Sequence, residues 1–208
     1  MKLYNYWRSS ASWRVRIALA YKNVPYEYVA VNLLEGANRG DAYRAMNPIA
    51  QVPTLLLDDG RQLSQSLAIL EYLEETVPRP SLLPADSYLR ARARQLAELV
   101  NSGIQPFQNL PLIARYNEQR LDAKALVAGD IKRGLDALQT SAEPHAGTFL
   151  VGDAPSFADV CLVPQLNAAR RFGLDVASWP LLLRVEAACN ALPAFQIAHA
   201  DRQPDAQK

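Results

Sequence analysis

Three serines, Ser9, Ser10 and Ser12, fall between Arg8 and Arg14 in the run Trp7-Arg8-Ser9-Ser10-Ala11-Ser12-Trp13-Arg14. Short hydroxyls beside the unpaired N–H groups of a helix start can donate several hydrogen bonds to one anion, a thiolate or a carboxylate. The same residues also make ordinary caps, Ser10 or Ser12 accepting from the backbone with no ligand present. A second such place is Ser64-Gln65-Ser66, where Gln65 and Ser66 offer a side chain and a backbone N–H to a ligand carboxylate, or Ser64 is only a cap. Val52-Pro53 carries a different chemistry. A cis bond there turns the chain sharply and leaves the N–H and C=O of Val52 free to pair with an extended peptide; a trans proline opening a strand is the ordinary alternative. Finally, Arg170-Arg171 closes a helical pattern, where the dipole favours cations in any case; with Arg8 in the same cleft they would grip a small dianionic substrate.

These residues need elements to hold them. Leu3, Tyr4 and Tyr6 favour a pleated surface, and Val15, Ala18 and Leu19 recur at helical spacing, which gives strand, serine-rich turn, helix. Asn23-Val24-Pro25 breaks the helix, and the alternating Tyr26–Val31 is a second strand, completing a βαβ unit. A short helix is expected at 39–46, behind a loop containing Gly36, Asn38 and Gly40. Pro53 opens an apolar strand through Leu57, Asp58-Asp59-Gly60 is a tight turn, and Arg61-Gln62-Leu63 returns as its partner. A helix then runs from Ser64 to Thr76, with Ile69, Tyr72 and Leu73 on one face and Glu71, Glu74 and Glu75 on the other.

Residues 78–84 contain Pro78, Pro80 and Pro84 and are read as a linker between an α/β domain (1–77) and an all-α domain (85–208). The second domain is expected to hold helices near 86–104, 110–116, 124–142, 156–172 and 180–191. Ser156 and Asp159 have capping-box spacing at the start of a segment that is apolar all round, so Asp159 is read as a buried folding element and no catalyst.

At 208 residues, 50% of them hydrophobic and 21% charged, the chain can bury one large core or two small ones. A formal net charge of +1 argues against a general attraction to nucleic acid or to an anionic membrane. The two cysteines, Cys161 and Cys189, lie in apolar helical patterns, which points to buried thiols in a reducing compartment. With no apolar run of membrane length and no signal-peptide core at the start, the expected location is cytoplasmic. His145 and His199 stand apart from any metal-ligand spacing, so no metal is expected.

The stretch from Arg8 to Leu19 resembles the signature of zeta-class glutathione transferases, in which the matching run is serine, serine, cysteine, serine, tryptophan, arginine. Asn47-Pro48, Gln51-Val52-Pro53-Thr54, Gln65-Ser66-Leu67-Ala68-Ile69, Gly103-Ile104-Gln105-Pro106, Gln108-Asn109-Leu110, Ala158-Asp159, Pro164-Gln165 and the tail Arg202-Gln203-Pro204-Asp205 are similar to the same class. The resemblance implies an N-terminal thioredoxin-like domain, an all-α C-terminal domain, a homodimer, and glutathione bound between the domains. It also implies maleylacetoacetate isomerase activity: thiolate addition to the cis double bond, rotation and elimination, with the nucleophile supplied by glutathione. Position by position, Ser9 and Ser10 would stabilise the thiolate, Ser9 being the first choice. Val52, before Pro53, would pair with the cysteinyl backbone of glutathione, and Gln65 and Ser66 would hold its γ-glutamyl carboxylate. Gln105 and Asn109 would reach glutathione from the helical domain; Arg8 and Arg171, in preference to Arg170, would grip the substrate carboxylates.

The chain departs from the class at Ala11, which replaces its cysteine, and at Pro111, which replaces a serine that helps bind glutathione; the loop from Glu35 to Asp41 is shorter. Maleylpyruvate isomerase of gentisate breakdown shares the fold, the mechanism and the double arginine, whereas Gln105 points toward the maleylacetoacetate branch. General glutathione conjugation, haloacid dehalogenation and a non-catalytic scaffold of the same fold are the other readings. Ser9, Val52-Pro53 and Gln65-Ser66 retained together argue against the scaffold.

Overall fold

The alternating start of the chain, with Leu3 buried and Lys2 exposed, forms β1 (Lys2–Asn5), which α1 (Ser10–Tyr21) connects to β2 (Glu27–Ala30) in a parallel pair, Lys2 opposite Glu27 and Asn5 opposite Ala30. A computed structural model describes residues 1–207. After the short α2 (Asp41–Met46), β3 (Thr54–Leu56) pairs antiparallel with β1, and β4 (Gln62–Ser64) antiparallel with β3. The sheet order is β2-β1-β3-β4. Between β3 and β4, Gly60 takes φ +86°, a conformation that costs glycine little, and the turn closes through Gly60 N–H to the Leu57 carbonyl at 3.1 Å. The last helix of this part is α3 (Ser66–Thr76). It starts after Ser64 because Ser64 is still paired with Thr54 in the ladder, so Ser64 is not the cap.

The helix α1 buries every residue from Ser10 to Leu19, Arg14 and Arg16 included. At its far end Lys22 is buried, its Nζ ion-paired with Glu74 at 2.8 Å and donating to the carbonyls of Val77 and Pro80 at 2.6 and 3.0 Å. These bonds satisfy a desolvated cation and tie down the chain leaving α3.

Leu82–Ala191 forms a separate unit of α4 (Ser87–Gly103), α5 (Leu110–Glu118), α6 (Ala123–Ala142), α7 (Phe157–Arg171) and α8 (Pro180–Asn190). It is built around α7, buried without interruption from Phe157 to Leu166. Asp159, fully buried, accepts from the N–H and hydroxyl of Ser156 at 2.7 and 2.8 Å and from the Leu150 N–H at 2.8 Å. This is the capping element the spacing predicts, and burial lifts its carboxyl to about 6.

One expected boundary changes. The sequence places residues 192–208 with the helical domain, whereas Leu192–Lys208 groups with Met1–Ser81. The reason is a short helix with no sequence counterpart above, α9 (Pro193–Ala198), whose Ala194, Phe195 and Ala198 are buried in packing that involves α1. Six residues opening on a proline carry too short a pattern to separate from a surface turn. Among the described residues, no helix is long and apolar enough to cross a membrane.

Candidate functional site

From β1 the chain turns through Tyr6-Trp7-Arg8-Ser9 into α1. Ser9 is the N-cap, with φ −66° and ψ 119°, and its Oγ accepts from the Ser12 N–H at 3.2 Å. The capping role therefore falls to Ser9, while Ser10 and Ser12 lie inside the helix. The Ser12 hydroxyl is buried and accepts from the Tyr6 N–H at 3.5 Å, bracing the turn from within. Accepting a bond leaves the Ser9 hydroxyl its own proton, so it can cap the helix and still donate to an anion. Of the first amides, Ser9 N–H bonds the Tyr6 carbonyl at 3.0 Å and Trp13 N–H the Ser9 carbonyl at 2.9 Å. Those of Ser10 and Ala11 have no partner among the described residues. These are the donors a helix start offers to a negative charge.

The sheet register gathers the other first-unit candidates. Tyr4 lies opposite Thr54, and Thr54 opposite Ser64, so the chain leaves β1, enters β3 and leaves β4 at one end of the sheet. The turn at Arg8–Ser10, the Val52-Pro53 pair and the Gln65-Ser66 pair thus all lie at that end. Arg14, buried in α1, links two of these places by donating from Nη1 to the Ser66 hydroxyl at 3.2 Å.

The Val52-Pro53 bond is cis, which resolves the alternative left open by the sequence. The Val52 side chain packs with Tyr6, Val31 and Tyr43, against which Trp7 also rests. Its N–H and C=O precede the ladder, which starts at Thr54, and pair with no other backbone group among the described residues. Two residues to which the sequence assigned no role, Tyr43 and the Asn47 of the Asn47-Pro48 match, hold this segment. Tyr43 donates its hydroxyl to the Gln51 carbonyl at 2.8 Å, and Asn47 Nδ2 donates to the same carbonyl at 2.7 Å and to the Thr54 hydroxyl at 3.1 Å. Nothing in the local pattern marks Tyr43, because a tyrosine on a short helix reads as core. Asn38, in the loop before α2, donates to the Ala50 carbonyl at 2.6 Å.

Gln65 occupies the N-cap of α3 with φ 71° and ψ 114°, a conformation that non-glycine residues rarely adopt, and its side chain makes no cap bond. Such strain persists only where the surroundings impose it, and it gathers at ligand sites. Gln65 is exposed, with its side chain available to a ligand, and Ser66 begins the helix beside it.

In the helical unit, Gln105 opens a short 3-10 turn, Gln105–Gln108, and donates from Nε2 to Asn109 Oδ1 at 3.2 Å. The turn is anchored by a reciprocal amide pair, Gln108 to Gln165 at 3.2 Å and back at 3.3 Å, both buried. Pro111 stands in the first turn of α5, where no amide proton is required. At the end of α7 the two arginines separate. Arg170 makes a two-pronged ion pair with Glu186, at 2.6 and 2.5 Å, which raises its pKa. Arg171 is exposed, its guanidinium 5.3 Å from the Phe172 ring centre. Arg8 lies over Trp7 at 5.6 Å.

Comparison with known proteins matches residues 1–75 to the glutathione S-transferase N-terminal domain and residues 105–193 to its C-terminal domain. The chain is 46% identical to the maleylacetoacetate isomerase of Dictyostelium discoideum over 99% of its own length and 95% of that protein. The crystal structure of maleylacetoacetate isomerase from Anaeromyxobacter dehalogenans, with glutathione bound in its active site, is similar at TM-score 0.92 and 52% identity, covering 99% of this chain and 97% of that one. A bacterial maleylpyruvate isomerase described as a zeta-class glutathione S-transferase is similar at TM-score 0.95 and 43% identity, both chains covered in full. With both domains matched and relatives this similar along nearly its whole length, the chain belongs to the glutathione S-transferase family, among the maleylacetoacetate and maleylpyruvate isomerases of its zeta class.

Proposed function

We propose that the protein is a glutathione-dependent cis–trans isomerase that converts maleylacetoacetate to fumarylacetoacetate. The observation that carries this reading is the single end of the sheet where three binding devices meet: the free amides of α1 with the Ser9 hydroxyl, the unpaired backbone of Val52, and the strained Gln65 at the start of α3. Together they fit a tripeptide thiol. Val52 offers one N–H and one C=O to an extended backbone, and Gln65 and Ser66 offer donors to an α-carboxylate.

Bound glutathione supplies the nucleophilic thiol that adds to the double bond and leaves again once the bond has rotated. The Ser9 hydroxyl would donate a hydrogen bond to the sulfur, and the N–H groups of Ser10 and Ala11, with the α1 dipole behind them, would favour the ionised thiol. Ser10 is buried in the same turn and is the second choice. Arg171 and Arg8 are assigned to the substrate carboxylates. Arg170 is not, because Glu186 already holds it. Gln105 and Asn109 are assigned to glutathione on the family resemblance and on their shared placement at the 3-10 turn. A cytoplasmic homodimer is the form expected of such an enzyme.

A second reading, maleylpyruvate as substrate, is favoured by the same Arg170-Arg171 pair and by the likeness to maleylpyruvate isomerases. The test compares kcat/KM of the purified protein for maleylacetoacetate and maleylpyruvate, each with and without glutathione. Glutathione-dependent preference for maleylacetoacetate supports the proposal, preference for maleylpyruvate moves the enzyme to the second reading, and turnover of neither overturns both.

A further inference from the structure

The turn that carries Ser9 is gripped from behind by the last residues of the chain. Trp7 N–H donates to Asp205 Oδ2 at 3.2 Å, and the Trp7 carbonyl accepts from Arg16 Nη2 at 2.8 Å. Both backbone groups of the residue two places before Ser9 are therefore held by charged side chains. Asp205 also accepts a hydrogen bond from the Tyr28 hydroxyl. Arg16, 1% exposed, also donates to the Tyr6 carbonyl at 3.3 Å, to Asn5 Oδ1 at 3.0 Å and, through Nε, to the Ala198 carbonyl at 3.2 Å. The tail thus meets the turn twice, through Ala198 at Arg16 and through Asp205 at Trp7. Between them, the Trp13 ring stands edge-on to His199, 4.8 Å between centres, and Gln203 Nε2 binds the Ile197 and His199 carbonyls at 3.0 and 2.8 Å.

We infer that Asp205 is a positioning residue: with Arg16 it clamps the Trp7 peptide groups and so sets where the Ser9 hydroxyl and the Ser10 and Ala11 amides stand toward a bound thiol. This rests on the reading of the site given under Proposed function. A capped helix holds its own first turn in shape, but the loop before it has no ladder to fix it, since β1 ends at Asn5. The clamp supplies what the ladder does not. Its cost is the burial of Arg16, whose pKa is lowered to about 10 by desolvation. A chain that only needed to cover α1 has the apolar face of α9 for that purpose and requires no buried guanidinium joined to the turn.

The experiment titrates the thiolate absorbance of glutathione bound to full-length protein, alongside steady-state kinetics and thermal unfolding, for wild type, Asp205→Ala, Asp205→Asn and Lys22→Met. The last variant weakens the same unit at the opposite end of α1, away from the site. The expected result is a rise of about 0.5–1 unit in the bound thiol pKa for Asp205→Ala, with a smaller rise for Asp205→Asn, which keeps an acceptor for Trp7. A roughly three- to tenfold fall in kcat accompanies it below the thiol pKa, with a smaller change in KM for glutathione. Lys22→Met titrates like wild type whatever its melting temperature. A wild-type titration curve for folded Asp205→Ala overturns the inference, as does an equal shift in Lys22→Met. Should Asp205→Ala not fold, Asp205→Asn is judged by the same criterion. Wild type without bound thiolate would overturn the reading of the site, and the clamp with it, whereas loss confined to the Asp205 variants leaves that reading standing.

Discussion

The cap that Ser9 provides and the thiolate contact proposed for it can be separated by substitution. Its Oγ caps α1 through the Ser12 N–H at 3.2 Å, and its proton is assigned to the glutathione sulfur. Removing the cap costs about 1 kcal/mol, which in a protein of this size lowers Tm by roughly 2–4 °C. Removing a neutral donor to a charged acceptor costs about 1.5–3 kcal/mol, equivalent to a rise of about 1–2 units in the bound thiol pKa. Ser9→Ala should show both effects, with kcat down by about two orders of magnitude. Ser9→Asp keeps a good cap and holds Tm within about 1 °C of wild type, but places a carboxylate beside the sulfur and removes activity by repulsion. Ser10→Ala, whose side chain does not cap the helix, should leave Tm near wild type and reduce kcat less than Ser9→Ala. The assay pairs thermal unfolding with the ultraviolet titration of bound thiolate. If Ser9→Ala loses only the cap increment and turns over normally, or if Ser9→Asp remains active, the assignment of the hydroxyl to the sulfur is refuted and Ser9 is a cap alone.

At Gln65, relief of the φ 71° conformation by Gln65→Gly releases about 1–3 kcal/mol of strain against about 0.5–1 kcal/mol of added chain entropy. The variant should be more stable in urea yet bind glutathione at least tenfold more weakly; a loss of stability would show the conformation to be unstrained. Arg171→Met should raise KM for the dianionic substrate, whereas Arg170→Met should leave that KM near wild type and cost about 1–2 kcal/mol by leaving Glu186 buried and unpaired, the half-exposed arginine being discounted for solvent screening. The reverse pattern in kinetics and denaturation would exchange their roles. For Asp159, a native carboxyl near 6 against 3.8 means that the folded state binds the proton more tightly. Its stabilising contribution is therefore present below about pH 4 and lost as pH rises through 6, by about 3 kcal/mol in all. The stability advantage of wild type over Asp159→Asn should shrink from pH 4 to pH 7, and a constant difference across that range contradicts the argument.

Elements with strong local physics were legible from the residues alone. The βαβ opening follows from period and proline breaks, the Asp59-Gly60 turn from the need for positive φ, and the Ser156/Asp159 box from reciprocal capping. The unpaired amides of the serine-rich helix start were legible for the same reason: they are a property of any helix terminus. The tertiary structure alone decided the rest, because it depends on partners distant in the chain. Which serine caps, and that Val52-Pro53 is cis, are set by the turn geometry around Tyr6 and Tyr43. That Glu186, sixteen residues beyond Arg170, takes that arginine and leaves Arg171 exposed cannot be read from two adjacent identical residues. Arg16 and Asp205 look like ordinary surface charges in sequence; folding buries Arg16 and joins it to the Tyr6 and Trp7 carbonyls, and the return of the tail onto the first unit brings Asp205 to the Trp7 N–H.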